Sequence, residues 1–277
     1  MSALAAVGVT GAVGLGVAVA TTETDTVVVP SIEVRTASAS CPGDSHLLPA
    51  GFKGDLQGFD KGDADILTTA LRRTSGETLK ATGLNDGSGD GGLTAIAYCG
   101  HRPGGVAVSE SKTVQGLDRK SATAQCPGDK KVLFGGFKTE IDPDDFSPGI
   151  IIAALERTSA GSWRATGVNI REDPGKVTAI AYCGNGPALD VKTKTVVVDY
   201  HKAKSVTANC PQGEVVAFGG YKGEIGNVGV AAEQDPIVMV SALRKASASA
   251  WKASARNISN ATPTGSAGTL ESIAYCR

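Results

Sequence analysis

Residues 126–183 begin with the sequence CPGDKKVLFGGFKTE (126–140) and end with SWRATGVNIREDPGKVTAIAYC (162–183). The same unit occurs twice more, at 41–99 and 210–276, where it begins CPGDSHLLPAGFKGD and CPQGEVVAFGGYKGE. Both steps from a closing cysteine to the next opening cysteine are 27 positions (99 to 126 and 183 to 210). A repeat with a fixed period is one supersecondary unit or one small domain, so the chain is predicted to contain three copies of one structure.

Equivalent positions carry the same chemistry in all three copies. A glycine stands ten places after the opening cysteine and is followed by an aromatic residue, a lysine and, two places later, an acid. In chain order these residues are Gly51, Phe52, Lys53, Asp55, Gly136, Phe137, Lys138, Glu140, Gly220, Tyr221, Lys222 and Glu224. A basic residue, a bulky apolar residue and an asparagine recur further on. They are Arg73, Leu79, Asn85, Arg157, Trp163, Asn169, Lys245, Trp251 and Asn257.

The cysteines divide two to a unit, a regularity that disulfides need and free cysteines do not. Pairing within each unit is favoured, giving Cys41–Cys99, Cys126–Cys183 and Cys210–Cys276. Each bridge then closes a loop of about 60 residues, which contributes roughly 4 kcal/mol through loop entropy. The alternative pairs across the linkers, giving Cys99–Cys126, Cys183–Cys210 and a ring-closing Cys41–Cys276. No Cys-x-x-Cys pair occurs, so the cysteines do not indicate a zinc site.

Short apolar or alternating runs fill each unit and predict β-strands. Segments 150–155 (IIIAAL) and 177–183 (VTAIAYC) are examples, and Gly, Pro, Asn and Asp bound such runs. We count about six of these runs per unit, and none has the caps and the period of a helix. The predicted fold is therefore all-β, with three tandem disulfide-stapled antiparallel β repeats. Sandwich-like units in series are favoured, and a single pseudo-threefold β-prism is the alternative.

Two glycines and two tryptophans predict close packing inside the units. Gly135-Gly136 within a strand indicates a bulge or a close backbone crossing. Trp163 and Trp251 could present stacking platforms for sugars, but Leu79 replaces them in the first unit. Core packing is therefore the favoured role of both tryptophans.

The N-terminus predicts a signal peptide. Residues 4–17 are an uncharged apolar run, and Ala18-Val19-Ala20 has the small-x-small pattern of a cleavage site. We assign residues 1–20 to the signal peptide, and the β repeats to 21–100 (unit 1), 106–184 (unit 2) and 189–277 (unit 3). A membrane anchor is the alternative, although the run is short for a span. Disulfides persist in oxidising compartments, so we expect a secreted protein with no membrane span after cleavage.

The repeated motifs resemble those of known secreted proteins. Cys-Pro-Gly, Gly-Gly-Phe, a Trp-x-Ala strand, an asparagine and Ala-Tyr-Cys together resemble a repeat of secreted actinobacterial proteins of unassigned function, and the likeness covers the whole mature chain. It implies no catalytic residues. A more distant likeness is to vitelline membrane outer layer protein I, which has three cysteine-bearing repeats and implies a three-sided β-prism. The repeats of that family are much shorter, and its Asp-Asp-Thr-Ala closing motif is absent here.

Candidate functional residues are few. His46, His101 and His201 occupy non-equivalent positions and no catalytic motif selects one, so neither a catalytic residue nor an enzymatic activity is predicted. Carboxylates clustered on a turn can bind calcium, which is the only cofactor considered. Those carboxylates are Asp142, Asp144 and Asp145. The repeated charged positions form a candidate ligand groove. They are Lys53, Asp55, Arg73, Lys138, Glu140, Arg157, Lys222, Glu224 and Lys245.

The charge balance limits the classes of partner. A net charge of −1 gives no electrostatic footprint for nucleic acid. We therefore expect a secreted, non-catalytic binding or structural repeat protein of the extracellular space or cell surface, with a glycan or another cell-envelope component as partner. The alternative is a secreted hydrolase, which requires a site in one diverged repeat that the other two lack.

Cleavage after Ala20 would begin the mature chain at a repeat boundary, because Thr21 lies 20 positions before Cys41 and Val106 lies 20 positions before Cys126. N-terminal sequencing of the protein recovered from culture medium should therefore read Thr-Thr-Glu-Thr. A cell-retained product that still carries Met1 would refute this assignment.

Overall fold

Strands make up all the regular structure that the computed structural model describes, in residues 21–57, 62–101, 105–140, 149–226, 235–258 and 266–277. Unit 1 contains β1 (Thr21–Val29), β2 (Val34–Ser40), β3 (His46–Gly54), β4 (Ile66–Arg73), β5 (Thr78–Asn85) and β6 (Gly91–Gly100). Unit 2 contains β7 (Val106–Val114), β8 (Arg119–Gln125), β9 (Lys131–Thr139), β10 (Ile150–Ser159), β11 (Ser162–Asn169) and β12 (Gly175–Gly184). Unit 3 contains β13 (Asp190–Val198), β14 (Ala203–Asn209), β15 (Val216–Gly223), β16 (Val238–Ser247), β17 (Ala250–Asn257) and β18 (Gly268–Cys276).

Each of three six-stranded antiparallel sheets is shared by two units. The strand orders are β1-β6-β3-β16-β17-β14, β2-β5-β4-β9-β12-β7 and β13-β18-β15-β10-β11-β8. The strands that join the units are β4 with β9, β10 with β15 and β16 with β3. Because unit 3 pairs with unit 1, the three units close into a ring.

Within a unit, two three-stranded half-sheets pack face to face. In unit 1 these are β1-β6-β3 and β2-β5-β4. Small residues let the two layers approach near the disulfide, and in unit 2 Ala124 and Ala181 are fully buried beside it. Units of this kind are sandwich-like, so the prediction of three tandem stapled antiparallel repeats is confirmed. The sharing of sheets gives them the closed threefold arrangement that was predicted as the alternative.

The disulfides join the two half-sheets of each unit. Cys41–Cys99, Cys126–Cys183 and Cys210–Cys276 have S–S distances of 2.03, 2.02 and 2.04 Å and Cα–Cα distances of 5.5 to 5.6 Å. The pairing predicted within units is confirmed, and the alternative pairing across the linkers is wrong. The opening cysteine directly follows β2, β8 or β14, and the closing cysteine lies near the end of β6, β12 or β18.

A repeated glycine makes each junction between units. Phe137 on β9 pairs with Leu71 on β4, so the repeated aromatic of one unit meets a leucine of its neighbour. A Cβ atom on Gly136 would lie 2.3 Å from the carbonyl oxygen of Leu71. Gly51 and Gly220 would approach the carbonyls of Leu243 and Leu155 at 2.5 and 2.1 Å. Real Cβ atoms do not come so close to backbone oxygen, so only glycine fits at these positions.

The preceding glycine receives the tryptophan. Trp163 is 1% exposed, and its Nε1 donates a hydrogen bond to the carbonyl of Gly136 at 3.1 Å. A Cβ atom on Gly135 would lie 1.9 Å from the indole ring. Unit 1 carries Ala50 in place of the glycine and Leu79 in place of the tryptophan. The alanine adds a Cβ atom, and the smaller leucine leaves room for it. The predicted core role of the tryptophans and the predicted close crossing at Gly135-Gly136 are both confirmed.

The repeated asparagine holds the opposite end of each sandwich. Asn169 is fully buried, and its Nδ2 donates to the carbonyls of Val114 and Asp173 at 3.2 and 2.7 Å. Its Oδ1 accepts a hydrogen bond from the amide of Arg171 at 3.0 Å. This one side chain therefore fastens the end of β7 to the loop between β11 and β12, which explains the fixed place of asparagine in the repeat.

The Gly–Trp pair can be tested by making unit 2 resemble unit 1. Gly135→Ala alone should destabilise the protein by about 1–3 kcal/mol through overpacking against the indole. Trp163→Leu alone should also destabilise it, through the cavity that it leaves. The double variant recreates the Ala–Leu pair of unit 1. Its loss of unfolding free energy should therefore be smaller than the sum of the losses in the two single variants by at least about 1 kcal/mol. Denaturant unfolding measures all three, and strict additivity would contradict the contact.

Candidate functional site

The inner strands of the three units begin irregularly at the disulfide end of the ring. β3, β9 and β15 each show a register shift against β6, β12 and β18 within their first residues. Leu47, Val132 and Val216 occupy equivalent places before these shifts and are all buried. A β-bulge bends its strand and redirects side chains, so the shifts change which side chains the strand starts direct toward the neighbouring units.

A cavity of about 1230 Å³ lies where these strand starts meet. Its apolar lining includes Leu47, Val132, Phe134 and Val216, together with residues of the linker that follows Cys183. Among the described residues that line it, none is an aspartate, a glutamate or a histidine. Four cationic residues contribute to its wall: Lys130, Arg244, Lys245 and Arg277.

A basic residue of one unit lies over a tyrosine of the next at each seam of the ring. The guanidinium of Arg73 lies 4.7 Å from the ring centre of Tyr182, and the hydroxyl of Tyr182 accepts the backbone amide of Arg73 at 2.6 Å. Arg157 and Tyr275 repeat this arrangement at 4.9 and 2.6 Å. Burial raises the pKa of Tyr182 and lowers the pKa of Arg73. The closing Ala-Tyr-Cys motif therefore serves the contact between units.

The third seam carries a lysine at this place and differs from the other two. Arg73 and Arg157 also donate to linker carbonyls, those of Gly105 and Leu189. Lys245 keeps the backbone bond to the hydroxyl of Tyr98 at 2.7 Å, and its Nζ lies 5.1 Å from the Tyr98 ring centre. Burial, and then repulsion from Arg277, lower the pKa of Lys245 to about 8. Burial also raises the pKa of Tyr98 to about 12.

Unit 3 also departs from the pattern at the wall of the cavity. In unit 2, Leu133 lies against Gly184, where a Cβ atom would be 2.7 Å from its Cδ1. Leu48 lies on Gly100 in the same way, at the same distance. Ala217 and Arg277 hold the equivalent positions of unit 3, so the small and the large residue are exchanged. The exchange puts a cation where the other units put a leucine.

The structure divides the predicted ligand groove among separate places. Lys53 pairs with Asp55 at 3.9 Å, and Glu140 pairs with Lys176 at 3.9 Å. The carboxylate of Glu224 accepts the backbone amide and the hydroxyl of Thr269, both at 2.9 Å. These acids fasten the start of the neighbouring strand within their own unit.

The remaining groove residues lie elsewhere. Lys222 pairs with Glu156 at 3.2 Å and with Glu271 at 3.7 Å, and Lys138 is exposed. Arg73, Arg157 and Lys245 lie at the seams, and of the nine predicted groove residues only Lys245 lines the cavity. The predicted set is therefore not a single groove.

The predicted calcium residues Asp142, Asp144 and Asp145 lie outside the described residues. Within the described ranges, no group of three or more His, Cys, Asp and Glu residues is placed to hold a metal ion.

Three cations of the cavity were not predicted from the sequence: Lys130, Arg244 and Arg277. One signal for them was available, because the residue after the closing cysteine is glycine in units 1 and 2 and arginine in unit 3. The apolar lining had no such signal, since its residues look like ordinary strand starts.

Comparison of the chain with protein-family models and with curated proteins finds no match. The resemblance to secreted actinobacterial repeats and to vitelline membrane outer layer protein I therefore stays a prediction. In the ranges that the structure describes, no helix is long and apolar enough to cross a membrane.

The lowered pKa of Lys245 predicts a pH dependence of stability. The unfolded lysine titrates near 10.5 and the folded one near 8, so the unfolded state binds more protons between these values and the free energy of unfolding rises with pH there. From about pH 7 to about pH 9.5 the rise should be on the order of 1 kcal/mol, after allowing for solvent screening. Lys245→Met should remove the rise and Lys53→Met should keep it. Equal slopes in both variants, measured by urea unfolding, would contradict the assignment.

Proposed function

We propose that the chain is a secreted, non-catalytic extracellular binding protein whose partner is a cell-envelope component and whose binding site is the cavity between the three units. The observation that carries the proposal is the cavity itself. At about 1230 Å³ it exceeds the roughly 300–1,000 Å³ of pockets that hold drug-sized ligands. An apolar lining with a few polar groups is typical of ligand sites.

Binding is favoured over hydrolysis by the composition of the cavity wall. A hydrolase needs a nucleophile and a general base, most often a histidine or a carboxylate, within hydrogen-bond reach of each other. The described wall residues include no histidine, aspartate or glutamate side chain. His46, His101 and His201 do not line the cavity either. A wall of this composition can hold a ligand but offers no acid–base pair.

An apolar envelope component is favoured over a glycan. Sugar-binding sites commonly use exposed aromatic faces, but Trp163 and Trp251 are 1% and 0% exposed. The aromatic residues of the cavity wall, Phe134 and Tyr98, are buried, and their rings lie against Tyr182 and Trp251. The cavity therefore offers no exposed aromatic face on which a glycan could stack.

Three buried disulfides support the extracellular part of the proposal. Cys126, Cys183 and Cys276 are each at most 2% exposed. Disulfides are stable in oxidising compartments and rare in the cytosol, and the predicted leader points to the same compartment.

One observation favours the hydrolase as a second candidate function. Lys245 lies in the wall of the cavity and its pKa is lowered to about 8. A strongly perturbed pKa in a cleft is a mark of catalytic groups as well as of ligand-binding cations. Turnover of ester, peptide or glycoside substrates that Lys245→Met abolishes would establish this reading and overturn the proposed one.

Binding at the cavity can be tested with matched tryptophan variants. Val215 lines the cavity and is 41% exposed, whereas Val197 is 50% exposed and lies on β13 away from the cavity. Val215→Trp should weaken the binding of Nile red, a neutral apolar dye, and of the lipids retained from an envelope extract by about tenfold or more, because the indole occupies the opening. Val197→Trp should leave binding unchanged. Retention of cell-wall polysaccharide that Val215→Trp does not affect would place the site elsewhere.

A further inference from the structure

We propose that the ligand of the cavity is a long-chain amphiphile with an anionic head group, a carboxylate or a phosphate, whose chain lies on the apolar lining and whose head group lies on the side of unit 3. This inference rests on the proposed function, because it assigns a chemical class to the same site.

The apolar part of the cavity suits a hydrocarbon chain. Leu48, Leu133 and Val215 contribute apolar side chains from units 1, 2 and 3, and none of the three is fully buried. An extended chain gains about 0.8 kcal/mol for each methylene that it buries against such a surface. A polar ligand of the same size would lose its hydrogen bonds to water along these walls without replacement.

The charged part of the cavity suits an anion. Lys130, Arg244, Lys245 and Arg277 line it, and the described lining residues include no aspartate or glutamate. The Nζ of Lys245 lies 5.1 Å from the ring centre of Tyr98, and among the described residues no carboxylate pairs with it. A half-buried ammonium group without an anionic partner costs free energy, and a head group beside it would offset that cost. Arginine adds a planar fork that pairs with carboxylate or phosphate in two parallel hydrogen bonds.

The cations are distributed unequally, which gives the ligand one orientation. Arg244, Lys245 and Arg277 belong to unit 3, and Lys130 alone comes from unit 2. Units 1 and 2 have a leucine at the position of Ala217 and a glycine at the position of Arg277, and the leucine packs against the glycine. Among the described residues, the threefold scaffold thus carries three of its four cavity cations on the side of unit 3. The ring gains a site with a single polar side, which an amphiphile can match and a uniformly apolar ligand cannot.

Three probes that share one chain separate the chemistry of the head group from that of the tail. Palmitate, hexadecyl phosphate and hexadecanol would each displace Nile red from the delipidated full-length protein, read by dye fluorescence. We expect the two anions to bind at least about tenfold more tightly than the alcohol, as a hydrogen bond to a charged group contributes about 1.5–3 kcal/mol. The ratio between palmitate and hexadecyl phosphate shows which anion the site prefers.

Charge variants complete the test. Lys245→Met keeps a side chain of similar length without the cation. It should weaken the binding of palmitate by about tenfold and change the binding of hexadecanol by less than about twofold. Arg244→Gln should act in the same direction. Lys53→Met, at an exposed lysine outside the cavity, is the matched control and should change neither. Thermal unfolding checks that each variant is folded.

The outcomes distinguish the two proposals. If hexadecanol binds as tightly as palmitate, if Lys245→Met has no effect, and if Val215→Trp still abolishes binding of both, the anionic head group is overturned and the cavity stands as the site. If no amphiphile binds, or if Val215→Trp changes nothing, the cavity is not the site and both proposals fall.

Discussion

The approach of two backbones at each junction between units is the constraint on which the rest of the structure depends. Gly136 passes the carbonyl of Leu71 so closely that no side chain fits, and the same approach recurs at Gly51 and Gly220. Because the junction strands pair there, every half-sheet continues into a half-sheet of the next unit. The aromatic that follows the glycine is thereby placed toward the centre of the ring, where the rings of Phe52 and Phe137 lie 6.4 Å apart.

The fold was largely predictable because its contacts inside a unit repeat in the sequence. Two cysteines per unit, alternating runs and the Gly–Trp pair each have a local signature, and the structure confirms them. The way in which the units meet was not predictable to the same degree. The repeated glycine marks the junction between β16 and β3, but a close backbone approach inside a unit predicts the same glycine, so the sequence did not identify the partner strand.

The candidate site was predicted poorly for a related reason. Equivalence among the repeats drew attention to Lys53, Asp55 and their counterparts, which prove to stabilise the scaffold. The cavity instead owes its charge to positions where unit 3 breaks the pattern, above all Arg277 in place of glycine. A residue that departs from the repeat indicates function only when its side chain is known to face an open space. The burial and the direction of a side chain are known only from the tertiary structure.

The shared sheets also have a consequence for how the chain acquires its structure. The strand pairs β3–β16 and β10–β15 both need unit 3, so two of the three sheets are incomplete until the third unit has been synthesised. Contacts between residues so far apart in the sequence form only after a large loop has closed. The entropy lost in closing the loop slows folding. A nascent chain that has passed only two units exposes the unpaired edges of β3 and β10, each able to pair with another chain. The ring can therefore close only after the third unit has been synthesised.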